Sequence, residues 1–168
     1  PAAPSAAPLD ESVPRLTLPT KNAIQTSIKQ LLGRELALDH TTEVPAPPKT
    51  ILAEARMSWL LDESGRELGA ILVSARAIAE IGGALLGFPA ATIDEHANAG
   101  IVSEDSLAAM NEICNSLVAA VKRASSDIHV RAEPLGPVVT ERLTWLHKAT
   151  KSCELSTPSG GRFWLFAR

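Results

Sequence analysis

The sequence has little to cross-link with, few aromatic groups to stack and no long apolar run. Its 168 residues hold two cysteines, Cys114 and Cys153, which form neither a metal-ligand spacing nor a disulfide framework. A reducing cytoplasm is therefore the expected setting. Aromatic residues make up 4% of the chain, and no aromatic stripe or Lys/Arg cluster offers a surface for stacked bases or a phosphate backbone. The formal charge of −3 also argues against nucleic acid as a partner. No stretch approaches the roughly 18 apolar residues of a membrane-spanning helix. The nearest, 68–86, is interrupted by Ser74, Arg76 and Glu80. A basic-then-apolar signal peptide is missing as well, so no membrane partner is expected. His40, His96, His129 and His147 are scattered, with no pair at ligand spacing on one element, so no metal site is expected.

What remains is an ordinary globular composition, 45% apolar and 21% charged, enough for one domain with a sizeable core. Residues 1–19, "PAAPSAAPLDESVPRLTLP", have the Pro/Ala/Ser content of a flexible linker tying the domain to something upstream. The folded domain is expected over 20–168. Ile24, Ile28, Leu31 and Leu32 repeat at helical spacing, and Gly33 supplies a stop, which predicts a short N-terminal helix. "ELALDHTT" alternates as a strand does. So do the odd positions from Ile51 to Leu61, and "ELGAILVS" reads as the return strand of a hairpin. "ARAIAEIGGALLG" predicts a helix weakened by Gly82 and Gly83, "FPAATIDEHANAG" a loop, and Ser103 the start of a second long helix running to about Ala124. "DIHVRAEP", "KSCELSTP" and "GRFWLFAR" read as three more strands, with "TERLTWLHKA" as a helical turn or long connection. Grouped strands and grouped helices predict an α+β fold, an antiparallel-rich sheet with both long helices on one face.

The second long helix carries the functional signal. At about 100° per residue, Leu107, Met110, Cys114, Leu117, Val118 and Val121 share one apolar arc. Glu112 and Asn115 lie on the far side, between Ala108 and Ala119. A solvent-facing stripe normally carries long charged side chains. Here a carboxylate and a carboxamide stand among methyl groups, a surface low enough for another protein to lie flat on. Asn111, Ala108 and Ala119 are expected to border that partner-facing surface. Cys114 falls on the apolar side and reads as a small buried hydrophobe. Trp59, Trp145 and Trp164 read as core or interface residues.

"GAILVSARAIAEIGGALLGFP", an acidic loop and then "SLAAMNEICNSLVAAV" together resemble the CheC/CheX/FliY chemotaxis phosphatases over roughly 21–168. Those proteins carry Glu-x-x-Asn on a helix that follows a strand and a helix, and here the motif is Glu112-Ile113-Cys114-Asn115. CheC-type members carry a second copy in the N-terminal helix. Here that helix reads "NAIQTSIKQLLG" and has none, which brings the chain nearer the single-site CheX type. Glu80-Ile81-Gly82-Gly83 puts glycine in the amide position. Ala108 stands where the family pattern often has Asp or Ser, and Pro137 lies near the distance of the proline that can close the pattern.

The resemblance implies a fold, a substrate and two roles. The substrate would be the aspartyl phosphate of a phosphorylated CheY-like receiver. Asn115 would orient the attacking water, and Glu112 would dock on the receiver's lysine. The receiver would bring its own Mg²⁺, and no cofactor would sit on this chain. The family also implies a homodimer built through the sheet. The rival expectation is a non-catalytic module of the same fold that binds a receiver or a flagellar-switch subunit. A proline-tethered receiver upstream would raise its local concentration in either case.

Overall fold

The computed structural model describes residues 14–168, so 1–13 of the expected linker lie outside the described residues. Among the described residues a seven-stranded, wholly antiparallel sheet runs in the order β1 (Asp39–Thr42), β6 (Lys151–Ser156), β7 (Arg162–Ala167), β3 (Glu67–Val73), β2 (Arg56–Leu61) and β4 (Arg131–Ala132), with β5 (Gly136–Pro137) also paired to β2. Its central strands are β2 (Arg56–Leu61), β3 (Glu67–Val73) and β7 (Arg162–Ala167), and their "RMSWLL", "ELGAILV" and "RFWLFA" are almost continuously buried. Such strands need cover on both sides, and alternate residues find it in two separate cores.

The first core joins Leu60, Ile71, Val73, Phe163 and Leu165 to the helices. α1 (Lys21–Leu32) contributes Ile24 and Ile28, and Thr20 caps it by accepting from the Ala23 N–H. α3 (Ala75–Ala77), a π-helical turn (Ile78–Gly82) and α4 (Gly83–Leu85) follow one another without a break and contribute Ile78 and Ile81. α6 (Glu104–Ala124) contributes Met110, Ile113, Leu117 and Val121. Both long helices therefore pack on one face of the sheet, as the grouping of elements predicts. Gly82 is needed at their crossing, because a Cβ there would strike the Ser106 carbonyl oxygen of α6.

The second core lies on the opposite face. Met57, Trp59, Leu72, Trp164 and Phe166 are covered by Trp145 and Leu146 from a 3-10 helix (Thr140–Lys148). Ile51 and Leu52 of α2 (Lys49–Glu54) pack at its border. Trp59 and Trp145 meet edge to face at 5.6 Å, and the Arg142 guanidinium lies 4.2 Å above the Trp59 ring. All three tryptophans are thus core residues.

Several local expectations are corrected. Residues 14–19, expected to belong to a linker, are attached to the folded domain. Leu16 is wholly buried in the first core, over Gly69, where a side chain would run into the Phe166 carbonyl oxygen at 2.6 Å. Thr17 is held by Ser125, whose hydroxyl accepts from its N–H at 2.8 Å and donates to its C=O at 3.3 Å. The apolar pair Leu16 and Leu18 outweighs the proline content of this short stretch. The strand expected from Ile51 begins only at Arg56, because Pro48 opens a helical turn whose half-buried Ile51 and Leu52 pack against the second core. Within "ELALDHTT" only β1 (Asp39–Thr42) is strand. The expected loop after Phe88 is helical, α5 (Ala90–Ala99), opened at Pro89 and closed by Gly100 in the left-handed region at φ 65°. "DIHVRAEP" and the residues after it form two two-residue strands, β4 (Arg131–Ala132) and β5 (Gly136–Pro137), at opposite ends of β2. β6 (Lys151–Ser156) and β7 form as expected. Among the described residues no helix is long and apolar enough to cross a membrane.

Candidate functional site

α6 is a 21-residue helix built to be rigid. Ser103 caps it by accepting from the Ser106 N–H at 3.2 Å. Glu104 and Asp105 stand at its positive end, with Lys122 and Arg123 at its negative end. Its inner side buries Ala109, Met110, Ile113, Cys114, Leu117, Val118 and Val121. Ala108, Glu112, Asn115 and Ala119 are all exposed on its outer side, so the low face read from the sequence exists as a surface. Glu112 and Asn115 are three residues apart, about 4.5 Å along the axis, and project from the same side. Glu112 enters none of the ion pairs among the described residues.

This face has two borders. On one side the Ser116 hydroxyl donates to the Ser27 carbonyl oxygen of α1 at 3.5 Å. On the other, the Asn111 side-chain oxygen accepts from the Leu135 N–H at 2.8 Å, between β4 and β5. Asn111, expected to face a partner, is half-buried and turned toward this segment. The wheel carries the signal: Asn111 sits only about 20° from buried Val118 and about 40° from Asn115. Its acceptor role was not legible, since the donor lies 24 residues along the chain.

The other chemistry-bearing residues are placed away from the α6 face or engaged in structure. Glu80, in the near-miss motif, accepts from the Thr157 hydroxyl and lies 3.7 Å from Arg76 Nη1. It braces the β6–β7 turn. Burial pushes the Cys114 thiol up to about 12 and Cys153 up to about 11, where an N–H from Leu165 partly offsets the shift. Both thiols stay protonated at neutral pH and are poor nucleophiles. Among the described residues no group of three or more His, Cys, Asp or Glu side chains could hold a metal ion. A cavity of about 530 Å³ opens between α2, the start of α3, the end of α5 and the β6–β7 turn, lined by Arg76, Asn98 and Arg162 among others. It does not include Glu112 or Asn115.

What the α6 face offers chemically is a carboxamide, which donates and accepts at once, one turn from a carboxylate. Neither is a nucleophile of the activated kind, so the face can orient a reactant more readily than attack one.

The antiparallel sheet with its helical layer is the fold of the CheC/CheX/FliY family, as solved structures show. CheX from Borrelia burgdorferi, in a complex with CheY, BeF3 and Mg²⁺, superposes with a TM-score of 0.55 at 12% identity, over 87% of this chain and 92% of that chain. FliY from Thermotoga maritima gives 0.51 at 13% identity, over 86% and 82%. A FliM–SpeE complex from H. pylori gives 0.58 at 8% identity, over 87% and 80%. No family model and no curated protein matches the sequence. CheX, FliY and FliM share the architecture, so the fold does not single out the CheX type.

Proposed function

We propose that the protein is a phosphatase of aspartyl phosphate on a CheY-like receiver, with Asn115 orienting the attacking water and Glu112 docking the receiver's lysine. The observation that carries this reading is the exposed pair on α6, set one turn apart among alanines in a fold shared with a CheX that was solved with CheY. An acyl phosphate is already activated, and the receiver would supply Mg²⁺ and a lysine for charge neutralisation. What this chain must add is position. Asn115 can accept a hydrogen bond from a water proton through Oδ1 while its Nδ2 donates to a phosphoryl oxygen, which aligns the water with the phosphorus. Alanines above and below let the receiver approach closely enough for that. The same reading carries a homodimer joined through a sheet edge, with β1 as the longer and more exposed of the two edges. The test is phosphate release from phosphorylated receivers mixed with the protein. Release above the receiver's own rate supports the reading, and its absence across receivers that bind rejects it.

The second reading is a non-catalytic module that holds a receiver or a switch subunit. It is favoured by the FliM likeness at a TM-score of 0.58. Binding without hydrolysis, unaffected by loss of Asn115, would distinguish it.

A further inference from the structure

Leu135 lies at a break in an edge strand. Immediately before it, the Glu133 N–H donates to the Trp59 carbonyl oxygen and the Ser58 hydroxyl donates to the Glu133 carbonyl oxygen. Immediately after it, Gly136 and Pro137 pair with Met57 and Arg56. Pro134, with no N–H, and Leu135 interrupt the pairing between those two stretches. The Leu135 side chain turns into the first core and is 5% exposed. Its N–H would be left without an acceptor, and a half-buried amide in that state is costly. Asn111 supplies the acceptor at 2.8 Å.

Asn111 and Asn115 are i and i+4 on α6, so their Cβ atoms stand about 6 Å apart on neighbouring turns. Side chains in a helix lean toward its N-terminus, which tilts Asn115 back over the turn that carries Asn111. The 133–137 segment is thus bonded to the helix within one turn of the amide that the proposed chemistry uses. We infer that Asn111 is a positioning residue: by holding the Leu135 N–H it fixes the edge segment as a wall beside Asn115 and limits the orientations of that amide. The inference rests on the phosphatase reading for its catalytic half and on geometry alone for its structural half.

Two variants separate the role of the acceptor from bulk. Asn111→Asp keeps an oxygen at the same place, whereas Asn111→Leu keeps the size and removes the acceptor. Amide exchange at Leu135 in the intact chain should be at least 10-fold faster in Asn111→Leu and within about 3-fold of wild type in Asn111→Asp. Equal exchange in all three proteins overturns the structural half. With a phosphorylated CheY-type receiver as probe, Asn111→Leu should lose at least 10-fold in kcat with KM within about 3-fold, and Asn111→Asp should recover most of it. An Asn111→Leu protein that turns over like wild type, or an Asp variant no better than Leu, overturns the catalytic half. A wild type that releases no phosphate overturns the phosphatase reading and that half with it, while the exchange ratio still decides the wall.

Discussion

Asp62, at the start of the β2–β3 turn, is the most densely solvated-by-protein carboxylate among the described residues. Its Oδ1 accepts from the Ser64 N–H, the Ser64 hydroxyl and the Arg66 N–H at 2.9 to 3.0 Å, and its Oδ2 accepts from Arg66 Nε at 2.7 Å. The Arg66 backbone donor, followed by the Arg66 and Ser64 side chains, holds its pKa down to about 2 against the opposing effect of burial. A carboxylate depressed on folding stabilises the protein above its unfolded pKa, about 3.9, and loses that contribution as pH falls toward the folded value. The difference in denaturation midpoint between wild type and Asp62→Asn should therefore be full at pH 5 and close progressively toward pH 2. A difference that does not change with pH would contradict this account. At the candidate site the residue scale behaves otherwise. Glu112 and Asn115 are exposed, so replacing either by Ala should change stability by no more than about 0.5 kcal/mol.

Among the elements, the stretch 14–19 joins the folded unit more firmly than its composition suggests. Leu16 fills the space that Gly69 leaves open, and Ser125 clamps Thr17 just past the end of α6. Leu16→Ala should cost about 2–5 kcal/mol in urea denaturation, as large-to-small changes in a close-packed core do. A cost under 1 kcal/mol would show that the stretch rests on the surface. Legibility in the sequence followed periodicity. β2, β3, β6, β7, α1 and α6 carry strong patterns and stood out. α5 did not, because "AATIDEHANA" spreads its few apolar residues around the helix and buries only Ala97. Its boundaries were nevertheless marked by Pro89 and Gly100. α2 was hidden by a coincidence, since Ile51, Ala53 and Ala55 alternate as strand residues would while Ile51 and Leu52 do the packing. The face bearing Glu112 and Asn115 was legible because it is local to one helix. Its borders were not, because Ser27 is 89 residues from Ser116 and Leu135 is 24 from Asn111.

The whole molecule divides its surfaces by cover. One face of the sheet is filled by α1, the long helices and residues 14–19, and the other by α2 and the 3-10 helix. The proposed receiver would meet the outside of the helical layer, and a second copy of the chain would meet a sheet edge. One edge is broken into β4 and β5 around Pro134, while β1 presents four residues in an unbroken run. If chains pair through the sheet, as the family resemblance implies, they do so at β1. Light scattering at tens of micromolar should then give twice the 17.8 kDa chain mass, and a proline at His40, whose N–H points away from β6, should return it to the monomer mass. A monomer in wild type would remove the dimer and leave the fold untouched.

The central claim is that α6 acts by placing one carboxamide at a phosphorylated receiver, and a single comparison tests it. Phosphate release from a receiver that the wild-type protein dephosphorylates is measured again with Asn115→Ala, alongside binding of that receiver. The account predicts a fall in turnover of ~10²-fold or more, the scale of losing one positioned group in a transition state, with binding largely kept. Release by Asn115→Ala as fast as by wild type would contradict it and leave α6 as a docking surface without chemistry.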